Sequence, residues 1–269
     1  MTGLQSTQAD WISANSVAEI SRRIPSRQLR WTGPLLLLSA RTVLLIVFQA
    51  LTAAVLALRH HPYAWTAAGK WWTVYGTLVD LGCLTLMWRF IRRESIGFRD
   101  LIGRLRWARD ILAGLGWFAV VFPLLGICLP LTARLIYGNS FPNVDQGKIV
   151  GPLPLWAALY TLSLWWIIWT PTEETTYQAY VLPRLEALTK RPVVAVLIVA
   201  FCWALQHCAV PFVFGWRYPV WRVLATFPGV LVFVLIYQRT RRLLPLIIAQ
   251  WPGDIFVAIM SVAPAVFMH

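Results

Sequence analysis

Charge is scarce in this chain. Only 13% of its 269 residues are Asp, Glu, Lys or Arg, against roughly 25% in soluble domains, and 58% are hydrophobic. A water-soluble fold could not hide that much apolar surface, whereas a bilayer removes the need to hide it. Acids are scarcer still, 11 against 24 Lys and Arg, for a formal net charge of +13. In so apolar a chain that excess points to basic residues holding loops on the cytoplasmic side, not to nucleic acid. The four cysteines, Cys83, Cys128, Cys202 and Cys208, lie in or beside apolar runs with no CxxC spacing. They are small apolar residues, not a disulfide frame or a zinc site. No segment repeats at a fixed period and no tract is of low complexity, so the two similar halves expected of many transporters are missing. The first apolar run is expected to be an uncleaved span and not a signal peptide. Residues Met1 to Gly33 are polar, and the first apolar run, Pro34–Leu58, is too long and too far from the N-terminus for one.

What is present is a series of apolar runs. They are Pro34–Leu58, Trp71–Phe90, Ile111–Ile136, Pro154–Thr170 with a continuation, Val193–Cys208, Val220–Tyr237 and Leu243–Phe267. Each reaches or approaches the roughly 20 residues that a bilayer core requires, which predicts an all-α polytopic bundle of about seven (six to eight) transmembrane helices. Those beginning at Pro154 and Leu243 contain Pro or Pro-Gly, where kinks or broken helices are expected. Many of the 16 tryptophans, among them Trp31, Trp71, Trp72, Trp88, Trp107, Trp216 and Trp221, stand at the ends of these runs, as an interfacial belt does.

The basic residues sort by side. Arg22, Arg23, Arg27 and Arg30 precede the first run, seven more lie in Arg89–Arg109, and Arg184, Lys190, Arg191, Arg239, Arg241 and Arg242 follow on the same side. The opposite side has only Arg59, Lys70, Arg134, Lys148, Arg217 and Arg222. That bias predicts a multi-pass protein of the cell or plasma membrane with a cytoplasmic N-terminus and an external C-terminus. Ser95–Leu112 has apolar residues at helical spacing with arginines between them, which predicts an amphipathic helix on the inner surface. The chain divides into a cytosolic tail (1–33), N-terminal spans with that loop (34–153) and a C-terminal core (154–269). The core is expected to hold every unusual intramembrane polar group, and hence the chemistry.

Three constellations stand in that core. Glu173 and Glu174 continue directly from an apolar run, although one charged side chain at a helix centre costs on the order of 2.5–3.5 kcal/mol on insertion scales. A carboxylate in such a place suits general-base work. Trp203 and His207, one turn apart, share a face of the next run. The turn between the two runs falls at Lys190, Arg191 and Pro192, and Glu173 precedes Lys190 by as many residues as His207 follows it. An antiparallel hairpin would bring them level, a carboxylate facing an imidazole, an arrangement that can activate water. Gln250 and Asp254, again one turn apart, flank Pro252 and Gly253 on the last run. A plainer reading of that pair is a helix break whose freed backbone groups they satisfy.

In this order the residues resemble the CPBP intramembrane proteases, the family of the type II CAAX prenyl endopeptidases, also called Abi or lysostaphin-resistance-like proteins. The family's motifs run EExxxR, FxxxH, then HxxxN or HxxxD. Here they read Glu173, Glu174 and Gln178; Trp203 and His207; Gln250 and Asp254. The resemblance covers about Pro154–Met260 and implies peptide-bond cleavage at or in the membrane. It implies Glu173 as base, His207 as its partner and Glu174 as an orienting carboxylate. Gln250 and Asp254 would be the oxyanion pair, with Gln178 and Trp203 beside the substrate. Three positions depart from the pattern. Gln178 replaces an Arg that would sit one turn from Glu174, Trp203 replaces Phe, and Gln250 replaces His. Gln250 keeps an amide donor for an oxyanion but is a poor zinc ligand. No cofactor is therefore expected, and zinc is disfavoured. Membrane lipids and a membrane-associated peptide, CAAX-like or not, are the expected partners. The alternative is a degraded relative acting as an immunity or scaffold protein. A transporter using Glu173, Glu174 and Asp254 as an ion path is a third reading, and the missing repeat speaks against it.

Overall fold

The computed structural model describes residues 14–103, 105–140 and 153–267, with side chains described as far as Val262. Helices are the regular structure of the described residues, joined by turns and loops, with one isolated bridge between Ala209 and Phe212. Five helices are long and apolar enough to cross a membrane. They are α2 (Thr32–Leu58), α4 (Trp72–Arg93), α6 (Trp107–Tyr137), α11 (Arg217–Thr240) and α12 (Leu244–Phe267). Their outward faces carry exposed Leu36, Val43, Leu51, Leu112, Ile127 and Leu135. So large an exposed apolar surface is the face of a bundle in lipid.

The other two expected spans take different forms. The first is one helical run in three α-segments, α7 (Leu155–Tyr160), α8 (Trp166–Glu174) and α9 (Leu182–Thr189), joined by π-helical turns at Thr161–Trp165 and Thr175–Val181. The second is α10 (Pro192–Gln206), only 15 residues, which at 1.5 Å per residue covers about 22 Å of a roughly 30 Å hydrocarbon core. Pro211 lies just beyond its end, and the residue before a proline is pushed away from helical geometry. The first part of the non-helical stretch after α10, Cys208–Val213, is buried or half-buried under protein, which is how non-helical backbone is tolerated in a membrane, whereas Phe214–Trp216 are exposed. Gln49 of α2 accepts from the Phe212 N–H (2.7 Å) and donates to the Phe212 carbonyl (3.0 Å), which the Trp65 indole N–H also reaches (3.0 Å).

Helix α6 packs on both α11 and α12, α10 on α11, and α2 on α4. Gly114 permits the contact of α6 with α12, since a Cβ there would lie 2.7 Å from Ile248 and 2.8 Å from the Pro245 carbonyl. Such small residues at close crossings are what membrane helices use to pack.

The arginine-rich segments gather at one end of the bundle. Glu94, at the end of α4, accepts from Arg184 Nε (2.9 Å) and Nη2 (2.8 Å), from Tyr180 (3.1 Å) and from Arg23 (3.3 Å). Arg241 pairs with Glu186, and Arg242 with Asp110. The tail is part of this end. Helix α1 (Val17–Arg22) docks on α9, and Asn15 bonds both Arg184 (2.9 Å) and the Ala179 carbonyl (2.8 Å).

Two expectations need correction. Ser95–Leu112 is not one amphipathic helix. A short helix, α5 (Phe98–Ile102), begins where the Asp100 carboxylate accepts from the Gly97 N–H (2.8 Å), and it ends at Gly103 with φ +73°. Glycine takes that left-handed geometry without penalty, so the chain turns there and α6 starts afresh at Trp107. Nor does the C-terminal core hold every intramembrane polar group. Arg41 of α2 and Asp80 of α4 are fully buried and paired at 2.5 Å. The outer position of Lys148 lies outside the described residues.

Candidate active site

The π-helical turns bracket the segment that carries the acids. A π-turn admits one extra residue and rotates the helix beyond it, and such turns recur at functional sites. Here Pro171 within α8 also removes a backbone donor. Within α8 the two adjacent acids point about 100° apart, as neighbours on any α-helix do. Glu173 lines the main cavity, while Glu174 does not.

That cavity has a volume of about 490 Å³ and lies among α6, α8, α10, α11 and α12. Most of its wall is apolar, from Val121, Phe122, Leu125, Val230, Phe233 and Phe256. Trp165, Trp169 and Trp72 form one aromatic side, with ring centroids 4.7 to 5.9 Å apart. The polar lining comprises Glu173, His207, Arg222, Thr226, Gln250 and Asp254.

Glu173 is held at both oxygens. Oε1 accepts from the Gln206 amide, and Oε2 accepts from the Gln250 amide at 2.6 Å. Gln250 Nε2 also donates to Asp254 Oδ2 at 3.2 Å, and Thr170 donates to that same oxygen at 2.5 Å. Both N–H groups of Gln250 thus face carboxylates. Behind Gln206 the chain of contacts continues. Gln206 Oε1 accepts from Arg41 Nε at 2.7 Å, Arg41 Nη1 meets Asp80 Oδ1, and the guanidinium lies 4.3 Å from the Trp169 ring centroid.

His207 ends α10 beside Gln206 and is half-buried on the cavity. Its Nδ1 lies 3.0 Å from the Trp203 carbonyl. A carbonyl can only accept, so Nδ1 carries the proton and Nε2 keeps a free lone pair. The ring lies within electrostatic reach of Glu173 and Arg222, and Arg222 Nε donates to the His207 carbonyl (3.3 Å). Glu173 and His207 line the same cavity, but the hydrogen bond between their helices is made by Gln206, the neighbour of His207, and not by the imidazole.

Trp203 lines the cavity and stacks on Tyr177, with centroids 5.5 Å apart and planes at 15°. Glu174 and Gln178 are fully buried away from the cavity, and none of their side-chain oxygens or nitrogens has a hydrogen-bond partner. In a regular helix they would sit one turn apart. Gln178 lies inside the π-helical turn that follows Glu174.

Sequence reasoning did not single out Gln206, Arg41, Asp80, Thr170 or Arg222. Arg41 and Asp80 could have been found as charges inside apolar runs. Gln206, an amide beside His207, carried no such mark. Among the described residues no three His, Cys, Asp or Glu side chains are grouped to hold a metal ion.

Residues 154–256 match the family described as type II CAAX prenyl endopeptidase Rce1-like. No curated protein and no solved structure matches the chain.

Proposed function

We propose, from the match of residues 154–256 to the Rce1-like type II CAAX prenyl endopeptidase family, that this membrane protein hydrolyses a peptide bond of a membrane-associated, CAAX-like substrate with a glutamate-activated water. The observation that carries the reading is the double clamp on Glu173. Amides from two helices fix both its oxygens at the wall of a largely apolar cavity. A carboxylate so held keeps lone pairs free for a water while its orientation stays set.

In this reading the water lies between Glu173 and His207 Nε2. Glu173 takes its proton as the water oxygen bonds to the scissile carbonyl carbon. The tetrahedral intermediate then collapses, the C–N bond breaks, and the proton passes to the departing amine. Proton transfer turns one Glu173 oxygen from acceptor into donor. That frees the Gln250 N–H for the oxyanion when negative charge develops there. Asp254, bonded by Thr170, keeps the Gln250 amide in place. The chemistry so written needs no metal. The arginine-rich end of the bundle is cytoplasmic in this proposal, as the basic bias implies.

A second reading, a non-catalytic relative that binds a membrane peptide in the same cavity, is favoured by one observation. Glu174 and Gln178, at two of the family's motif positions, are buried without partners. A Glu173→Gln variant used to capture a substrate peptide from its own membrane separates the two. The proteolytic reading requires a peptide trapped intact by the variant and found cleaved with wild type. Recovery of the same uncleaved peptide from both proteins would establish the binding-only reading.

A further inference from the structure

A second cavity, of about 420 Å³, opens at the arginine-rich end between the start of α2 and the end of α4. Its lining is mostly polar. Arg27, Arg30 and Arg93 contribute to it, with Gln28 and Thr32 as neutral donors, while the Ser26 hydroxyl donates to the Arg23 carbonyl. Among the described residues, no ion pair involves Arg27, Arg30 or Arg93. The one acid in the lining, Glu94, is buried and already bonded by Arg184 and Arg23. Among the described residues the cavity therefore has a positive excess, three arginines outside any ion pair against one carboxylate that is bonded elsewhere.

Two further features fit an anion. Thr32 and Gly33, the first residues of the 27-residue α2, line the cavity, and the helix has no side-chain cap. The first turn of a helix leaves N–H groups without intrahelical acceptors and presents the positive end of its dipole. The cavity also stands at headgroup depth. Trp31 and Trp88 on the flanking helices are about half exposed, at 46% and 45%, as rings at the bilayer interface are. Leu35 and Leu36, the next turn of α2, are exposed apolar surface for acyl chains. Among the described residues, the pocket beside Trp65 and Phe212 at the opposite end has no basic residue in its lining.

We propose that this cavity binds the phosphate-bearing headgroup of an anionic phospholipid, with Arg27, Arg30 and Arg93 as its charged ligands. Basic pockets between membrane helices on the cytoplasmic side are suited to such headgroups. The site is distinct from the Glu173 cavity, and the inference stands whether or not the chain is a protease.

The test is native mass spectrometry of the full-length protein in neutral detergent. It is titrated with phosphatidylglycerol, with phosphatidylcholine of the same acyl chains, and with inorganic phosphate. Wild type should retain phosphatidylglycerol in preference to phosphatidylcholine. Arg30→Gln and Arg93→Gln should each weaken that retention by about fivefold, the effect of one basic residue at a charged membrane surface. Arg27→Gln combined with both should abolish the preference, whereas Arg93→Lys should keep most of it. Arg59→Gln, an exposed arginine at the other end, should have no effect. Melting curves of each variant check folding, and the single variants decide if the triple variant does not fold. Equal retention of the two lipids by wild type would overturn the proposal, as would an equal loss in Arg59→Gln. Arginine-dependent binding of inorganic phosphate without retention of phosphatidylglycerol would refute the lipid assignment.

Discussion

The Gln250 side-chain nitrogen donates to Glu173 at 2.6 Å and so joins α12 to the acid-bearing helix across the cavity. Its second contact, to Asp254 at 3.2 Å, lies on its own helix.

The contact sets an expectation for substitution at Gln250. Gln250→Leu removes the donor, unclamps Glu173 and leaves no group for the oxyanion. Turnover should fall on the order of 10²–10³, the loss seen for one oxyanion donor. Gln250→His keeps a ring N–H and should change turnover only moderately. Cleavage assays of the three proteins with and without a chelator check this. Equal turnover by Gln250→Leu and wild type would refute the oxyanion role, and chelator-sensitive activity created by Gln250→His would point to a metal mechanism.

Glu173→Ala and His207→Ala should each abolish cleavage while the protein still inserts and runs as a single species in detergent. Both side chains line the same cavity, and neither takes part in the ion pairs at the arginine-rich end. Near wild-type cleavage by either variant would remove that residue from the water-activating pair.

Arg41 and Asp80 form a buried pair, so removal of one partner strands the other. Arg41→Leu should destabilise the protein by about 3–5 kcal/mol, the usual consequence of an uncompensated buried charge. Arg41→Leu together with Asp80→Leu should recover much of the loss. Thermal unfolding in detergent measures both. A double variant no more stable than Arg41→Leu would show that Arg41 acts mainly through Gln206 and Trp169, its other contacts.

Orientation is open to a direct measurement. Single cysteines placed at Ser95 and at His60, exposed at opposite ends of the bundle, should be labelled by an impermeant reagent from opposite sides of the membrane. Ser95 should react only from the cytoplasm. Labelling of Ser95 from outside intact cells would invert the proposed topology.

The sequence by itself determined that this protein is a helical membrane bundle and which of its segments would hold the acids. Both follow from local properties, the length of apolar runs and the cost of a charge within them. The pairing of Glu173 with the end of α10 was legible too, because a hairpin of known turn position brings residues level by counting. Tertiary structure alone decided the rest. Which of Glu173 and Glu174 faces the cavity depends on how α8 is rotated against its neighbours, and the π-helical turn before it shifts that rotation without any mark in composition. Gln206 reads as an ordinary polar residue until α8 and α2 pack on either side of it and make its amide the link between Arg41 and Glu173. Arg41 and Asp80 lie far apart in the chain, and their partnership exists only because α2 and α4 cross at that depth. Side-chain amides and buried ion pairs take their roles from what stands opposite them, and a linear sequence does not contain that information locally.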